Sequence, residues 1–351
     1  MDQQRADYPR YRANNRSPNL NVYAWQPHRG THWVIALSTV AAFVFALLLT
    51  GEGMRLSPDS HEYMATARLI SQIGGIPITY SWWPPLYPLT LTPFTDMQMA
   101  ARSMNAVCLA LTVTLTLYAL RDRTTGLLVG IVATLVLSPS LQFVHRYVWS
   151  EPLFVTLVAA WFALLLAGVK ERRRVVLLAL IAALLGLQRY VGILFVPFGV
   201  FALLLNQVNW KRIAVYVLIA GVPLGLWMLR NILLGYPATG ADRGAAYFTF
   251  AYGTQTAILT LIGWLPVLAL AFGAGFVGRS RLPRSFLLVC AYYVVVHIVF
   301  IIWSQSTTGM DSADDRLLAP VFVPLVYGVT AVGGMLGRQI STAPRRLKSP
   351  L

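Results

Sequence analysis

Apolar runs of near bilayer-spanning length recur along this chain, separated by short hydrophilic breaks. They lie at roughly 33–50, 99–120, 125–141, 152–169, 174–188, 191–207, 212–229, 256–277, 285–303 and 317–336. A helix of about 20 apolar residues is what crosses a bilayer, and a soluble core has no use for a series of them. The pattern predicts an all-α, polytopic transmembrane protein of about ten spans, several of them short, with 174–207 as two spans or one interrupted hairpin. Charge agrees: only 12% of residues are charged, where a soluble domain carries about a quarter, so a water-facing coat is excluded.

The net charge of +15 would fit nucleic acid, but its placement excludes that partner. Lysine and arginine gather in alternate breaks: Arg121-Asp122-Arg123, Lys170 to Arg174, Lys211-Arg212, Arg279 to Arg284, and the end of the chain with Arg338, Arg345, Arg346 and Lys348. Basic loops stay on the cytoplasmic side, so both termini are expected inside, with 1–32 and 338–351 as basic cytoplasmic tails around a membrane domain at 33–337. The leader, with Arg5, Arg10, Arg12, Arg16 and Arg29, reads as disordered and has no signal-peptide layout. Most acids fall on the other side: Glu52, Asp59, Glu62, Asp96, Glu151, Asp242, Asp311, Asp314 and Asp315. Topology does not require them there, so they call for a functional explanation. Cys108 and Cys290 lie inside apolar runs and read as small buried hydrophobes. No internal repeat is visible, which weakens an inverted-repeat transporter.

The first outer loop, about 51–98, is the longest. Ser57-Pro58-Asp59 is a helix start with proline at the first helical position. Residues 59–73 then fit a helix lying on the membrane surface, with Tyr63, Met64, Ala67, Ile70 and Ile73 on its apolar side. The prolines of Trp82-Trp83-Pro84-Pro85-Leu86-Tyr87-Pro88 argue against regular helix there. A second long outer loop, about 231–255, carries Tyr236, Tyr247 and Tyr252.

Charged side chains recur where outer loops meet apolar runs: Asp59, Glu62, Arg146, Glu151, Arg189, Arg230 and the Asp315-Arg316 pair. Ionisable groups next to hydrocarbon cost several kcal/mol (roughly 2.5–3.5 on insertion scales) unless paired or solvated, so a shared polar cavity is expected. Arginine holds phosphate bidentately, and a carboxylate beside it can take a proton from a hydroxyl. Each residue also has a bland reading. Asp59 with Glu62 is a capping pair. Arg189 snorkels, and Arg230 and Arg316 anchor to headgroups. Glu151 complements a helix N-terminus, and Asp315 only pairs with Arg316. The outer tryptophans and tyrosines form an interfacial belt. His297 is a packed core residue, and His61 and His145 make no ligand set. A divalent cation held by Asp59, Glu62 or His61 stays open.

The string Ser57-Pro58-Asp59-Ser60-His61-Glu62-Tyr63, with Pro84-Pro85-Leu86-Tyr87-Pro88 after it, resembles the first outer loop of GT-C fold glycosyltransferases. The likeness is to bacterial members related to protein mannosyltransferases and aminoarabinose transferases. Ser150-Glu151-Pro152-Leu153, Gln188-Arg189-Tyr190-Val191-Gly192, Leu229-Arg230-Asn231 and Asp315-Arg316-Leu317-Leu318-Ala319-Pro320 follow in that family's order. The resemblance implies a polyprenyl-phosphate-sugar donor and a glycan, lipid or protein acceptor. It also implies inversion at the anomeric carbon and an extracytoplasmic site in a bacterial inner membrane. Asp59 then becomes the catalytic base, and Arg189, Arg230 and Arg316 the phosphate ligands. Glu151, Glu62, Asp315 and Tyr63 become further substrate contacts. The family's adjacent Asp-Glu pair is here spread to Asp59 and Glu62. Rival readings are a polymerase or ligase of lipid-linked glycans, and a transporter or flippase for an anionic or polyprenyl-linked substrate.

Overall fold

The computed structural model describes residues 30–80, 82–240 and 244–342. Most of both expected tails, and Asp242, lie outside the described residues. The described chain is all α. Its helices are α1 (Thr31–Leu49), α2 (Pro58–Ile73), α3 (Leu86–Leu91), α4 (Met97–Ala119), α5 (Thr125–Val136), α6 (Pro139–His145) and α7 (Glu151–Leu166). They continue with α8 (Arg172–Gln188), a 3-10 turn (Tyr190–Leu194), α9 (Phe195–Leu205), α10 (Trp210–Leu233), α11 (Phe250–Gly278), α12 (Arg284–Thr307) and α13 (Asp315–Thr342). Among the described residues the one β feature is an isolated bridge between Arg55 and Tyr147.

Every expected span has a helix, but not all are of crossing length. By length and composition α1, α4, α10, α11, α12 and α13 are six candidate spans, and α5 with α6 would be a seventh, bent by 54°. Glu151–Leu166 and Tyr190–Leu205 are shorter apolar helices. The chain is an integral membrane protein in which six helices, or seven counting the bent α5–α6 pair, are long and apolar enough to cross a bilayer, with shorter apolar helices between them. The break in the expected 125–141 run has a local cause: Ser138 accepts a hydrogen bond from Leu141 N–H at 3.3 Å, and Pro139 follows at the first helical position. A capped start with proline in the first turn is a new helix, not a continuation.

The first loop folds onto protein. Tyr63, Met64, Ala67 and Ile70 of α2 are buried, while Ile73 is exposed. Tyr63, Met64 and Ala67 cluster with Tyr87, Leu91, Met97, Ala101 and Val148, so the expected membrane-facing side of α2 is a protein interface. Ser57 is the N-cap, exchanging hydrogen bonds with Ser60 at 3.3 and 3.0 Å. The capping box is therefore Ser57 with Ser60, and Asp59 and Glu62 play no part in it. The prolines do permit a short helix, α3, because Pro85 precedes it and Pro88 falls in its first turn, where no N–H is needed.

Two contacts fix the long helix α13. Gly275 of α11 and Gly333 and Gly337 of α13 lie against the partner helix's backbone: a Cβ at each would run into Thr330, Phe272 and Phe276 carbonyl oxygens respectively. Nearer the first-loop end, Trp264 Nε1 of α11 donates to Asp315 Oδ1 at 2.7 Å. His297 is buried and faces Leu317 O at 3.2 Å, a core residue as expected, and both cysteines are free and buried. Overpacking a close helix contact costs about 1–3 kcal/mol. Gly333→Leu is therefore expected to lower the thermal unfolding midpoint in detergent clearly, and an unchanged midpoint would contradict this packing.

Candidate active site

The site forms where four helix ends meet. Glu151 is the first residue of α7, followed by Pro152, a position where the peptide dipoles favour a carboxylate. It is 1% exposed, and its Oε1 accepts from two guanidinium groups. One is Arg189 Nη1, on a residue held extended between α8 and the 3-10 turn (φ −151°, ψ 144°). Gly192 permits that reversal, since a Cβ there would collide with Leu185 backbone. The other is Arg316 Nε at 2.6 Å, from the second residue of α13.

Arg316 uses every edge of its fork. Nη1 donates to Asp311 Oδ2 at 2.9 Å, Nη2 donates to Asp59 Oδ2, and the guanidinium lies 4.1 Å over the Trp149 ring. Its three carboxylate partners differ in burial: Glu151 is 1% exposed, Asp59 23% and Asp311 68%. A buried pair is strongly destabilising to break, whereas an exposed one is worth about 0–1 kcal/mol. Arg316 thus has one permanent partner and two replaceable ones.

The layer behind these charges is hydrogen-bonded. Gln188 Nε2 donates to Ser150 O at 2.8 Å, and Arg189 Nη1 donates to Ser150 Oγ at 3.2 Å. Tyr63 OH lies 3.2 Å from the same Oγ. Burial holds the Tyr63 phenol well above its ordinary range, so it stays protonated. Trp149 Nε1 donates to Ser57 Oγ at 2.6 Å, tying the cation-π ring to the cap of the helix that carries Asp59.

Two cavities open from this cluster. A polar one of about 330 Å³ is lined by Asp59, Trp82, Trp83, Arg189, Tyr247, Met310, Asp311 and Arg316, among others. A mainly apolar one of about 360 Å³ is lined by Tyr190, Val191, Ile193, Met228, Phe300, Ile301 and Trp303, among others. Trp83, Arg189 and Met310 line both, so Arg189 stands where charge gives way to hydrocarbon.

Of the residues singled out in the sequence, Asp59, Glu151, Arg189 and Arg316 come together. The others do not. Arg230 donates to the carbonyls of Tyr80 at 2.8 Å, Pro77 at 2.8 Å and Ile78 at 3.2 Å, and lies 4.6 Å over Trp227. It clamps the first loop rather than lining the polar cavity. Asp315 turns to Trp264 and not to Arg316, because adjacent helical residues point about 100° apart. Tyr63 is packed between Trp83 and Tyr87, behind the cavity wall. Glu62 and His61 are exposed. Among the described residues no group of three or more His, Cys, Asp or Glu side chains is placed to hold a metal ion. Asp311 and Asp314 count among the outer acids but had no role assigned from sequence: Asp311 pairs with Arg316, and Asp314 Oδ1 accepts from Arg316 N–H at 3.0 Å and so caps α13.

No family model matches the chain, and no curated protein matches it. Solved structures do. The crystal structure of ArnT from Cupriavidus metallidurans bound to undecaprenyl phosphate superposes with a TM-score of 0.56 at 17% identity, covering 90% of this chain and 61% of that one. Its apo state gives 0.60 at 18%, covering 90% and 60%. The chain has the ArnT-like, GT-C fold, and it spans about 60% of the length of those proteins.

Two outcomes follow from the geometry. Glu151→Leu leaves two guanidinium groups without their buried counter-charge and is expected to destabilise the protein by about 3–5 kcal/mol, read as a lower unfolding midpoint. Arg230→Ala is expected to speed proteolysis of the 76–80 segment, whose carbonyls it holds, and an unchanged cleavage rate would contradict this clamp.

Proposed function

We propose that this protein is an inverting glycosyltransferase that moves a sugar from a polyprenyl-phosphate-sugar donor to a hydroxyl of a glycan, lipid or protein acceptor. The observation that carries the proposal is a pair of adjoining cavities, an arginine-and-carboxylate chamber and an apolar one that share Trp83, Arg189 and Met310 in their linings. A phosphate on a long hydrocarbon chain is the ligand whose two halves match those two linings. The fold is that of ArnT, which has been solved with undecaprenyl phosphate.

In this reading the prenyl chain lies along Tyr190, Ile193 and Phe300, and the phosphate sits between Arg189 and Arg316. The resting cluster holds three carboxylates against two guanidiniums, so the phosphate enters by exchange. It takes the Arg316 edges now held by Asp311 and Asp59, the two less buried partners, while Glu151 keeps both arginines aimed. Asp59, released from Arg316, accepts the proton of the acceptor hydroxyl as that oxygen bonds to the anomeric carbon. The bond from that carbon to the phosphate oxygen breaks on the opposite face, which inverts the centre. Its electrons leave with the polyprenyl phosphate, whose added charge the two arginines neutralise.

The catalytic unit in this proposal is residues 33–337, with basic segments 1–32 and 338–351 in the cytoplasm. The breaks at the other end of the bundle support that orientation. Arg123 reaches Arg281 O, Arg212 reaches Lys170 O, and Arg338 reaches Arg279 O, gathering the basic loops on one side, where the positive-inside rule places the cytoplasm. The site then faces the extracytoplasmic side, in a bacterial inner membrane. The clustering of charges at helix ends, rather than midway along broken helices, is less suited to a transporter or flippase.

Asp59→Asn is expected to cut sugar transfer by a factor on the order of 10²–10⁴, the usual contribution of a general base. Donor binding should persist, since Asn competes less well than Asp for Arg316. Transfer at the wild-type rate in membranes supplied with a lipid-linked sugar would rule out Asp59 as the base.

A further inference from the structure

A second set of arginines lies apart from the proposed donor site. Arg55 N–H donates to Arg146 O at 2.8 Å, and Val148 N–H donates to Arg55 O at 3.3 Å, forming the isolated bridge between Arg55 and Tyr147. Arg55 and Arg146 both line one cavity of about 390 Å³. Its other walls are Leu48 and Leu49 at the end of α1, and the turn from Gly51 to Met54. The lining shares no residue with the polar and apolar chambers described above. Gly53 has φ +103°, a conformation that glycine adopts without strain, and it shapes the turn over the cavity.

The charges here are not balanced as they are around Glu151. Among the described residues neither Arg55 nor Arg146 is within ion-pair distance of a carboxylate. Arg146 Nε is buried and has no hydrogen-bond partner, a state that costs free energy until an acceptor is supplied. Glu52 also lines the cavity but is exposed and pairs with neither arginine. The carbonyl end of α1 would by itself repel an anion. Arg102 offsets it, donating from Nη2 to Leu47 O at 3.0 Å and from Nε to Thr50 Oγ1 at 3.2 Å.

We propose that Arg55 and Arg146 form a second anion site, independent of the donor chamber, that takes one phosphate group. Two arginines that line one cavity, neither paired with a carboxylate among the described residues, suit a tetrahedral oxyanion. The phosphate comes from a phospholipid headgroup or from solution. The proposal concerns binding alone and does not depend on the glycosyltransferase reading. The same paired segments run on to Ser57-Pro58-Asp59 and to Ser150-Glu151, so an occupied site also steadies the two strands that carry the proposed base and the central carboxylate.

The test uses the full chain in neutral detergent, probed by native mass spectrometry and thermal melting with phosphatidylglycerol, with diacylglycerol as the phosphate-free control, and with inorganic phosphate. Saturable binding of phosphatidylglycerol but not diacylglycerol identifies a lipid headgroup, and saturable binding of inorganic phosphate identifies a soluble source. Either supports the site if affinity falls on the order of tenfold for each arginine removed in Arg146→Gln and in the Arg55→Gln, Arg146→Gln pair. Arg55 is exposed, so Arg55→Gln alone gives a folded variant in which the same loss must appear. The proposal is overturned if neither probe binds saturably, if binding is unchanged in Arg55→Gln, or if it is lost only on Arg189→Ala.

Discussion

One buried carboxylate organises this protein's candidate site. Glu151 is almost wholly removed from solvent, yet its Oε1 meets guanidinium groups from two different parts of the chain. A charge in that position costs several kcal/mol unless opposite charge is brought to it. The fold brings two, at the positive end of α7. Because the pairing over-compensates Glu151, each arginine keeps donor capacity to spare. Arg316 spends its share on Asp59 and Asp311, and those contacts, more exposed, are the ones a ligand can replace. In the proposed function these replaceable contacts are what a phosphate would exchange for.

Everything around Glu151 limits where the arginines can stand. Arg189 is set by the reversal after α8 and by Gly192. The start of α13, and with it Arg316, is set by the Trp264–Asp315 bond, the Asp314 cap and the glycine contacts with α11. Asp59 is set by the Ser57–Ser60 capping box, to which Trp149, the ring beneath Arg316, donates through Nε1. Packing energy far from the charges is in this way converted into angular precision at them.

Much of this was legible in the sequence, for one reason. An ionisable residue next to an apolar run is expensive enough to be noticed, and Asp59, Glu151, Arg189 and Arg316 all occupy such places. Partner choice was not legible. Arg230 and Arg316 both sit at ends of apolar helices, and only the three-dimensional path of residues 77–80 shows that Arg230 is consumed by the first loop's carbonyls. Asp311 lies in a loop where nothing local marks it. Two signals were present and went unread. The turn angle between adjacent helical residues forbids an Asp315–Arg316 pair, and Ser138-Pro139 announces a new helix inside the expected third span. The number of spans was not legible from the apolar runs alone, because several of them form helices shorter than a bilayer is thick.

The most direct test of the account is an experimental structure of the full chain in a lipid nanodisc with undecaprenyl phosphate. The account expects the phosphate within hydrogen-bonding distance of both Arg189 and Arg316. Asp59 should be released from Arg316, Glu151 should keep both arginines, and the prenyl chain should lie against Tyr190 and Phe300. A phosphate bound away from these arginines, or an Asp59–Arg316 pair left intact beneath it, would contradict the account.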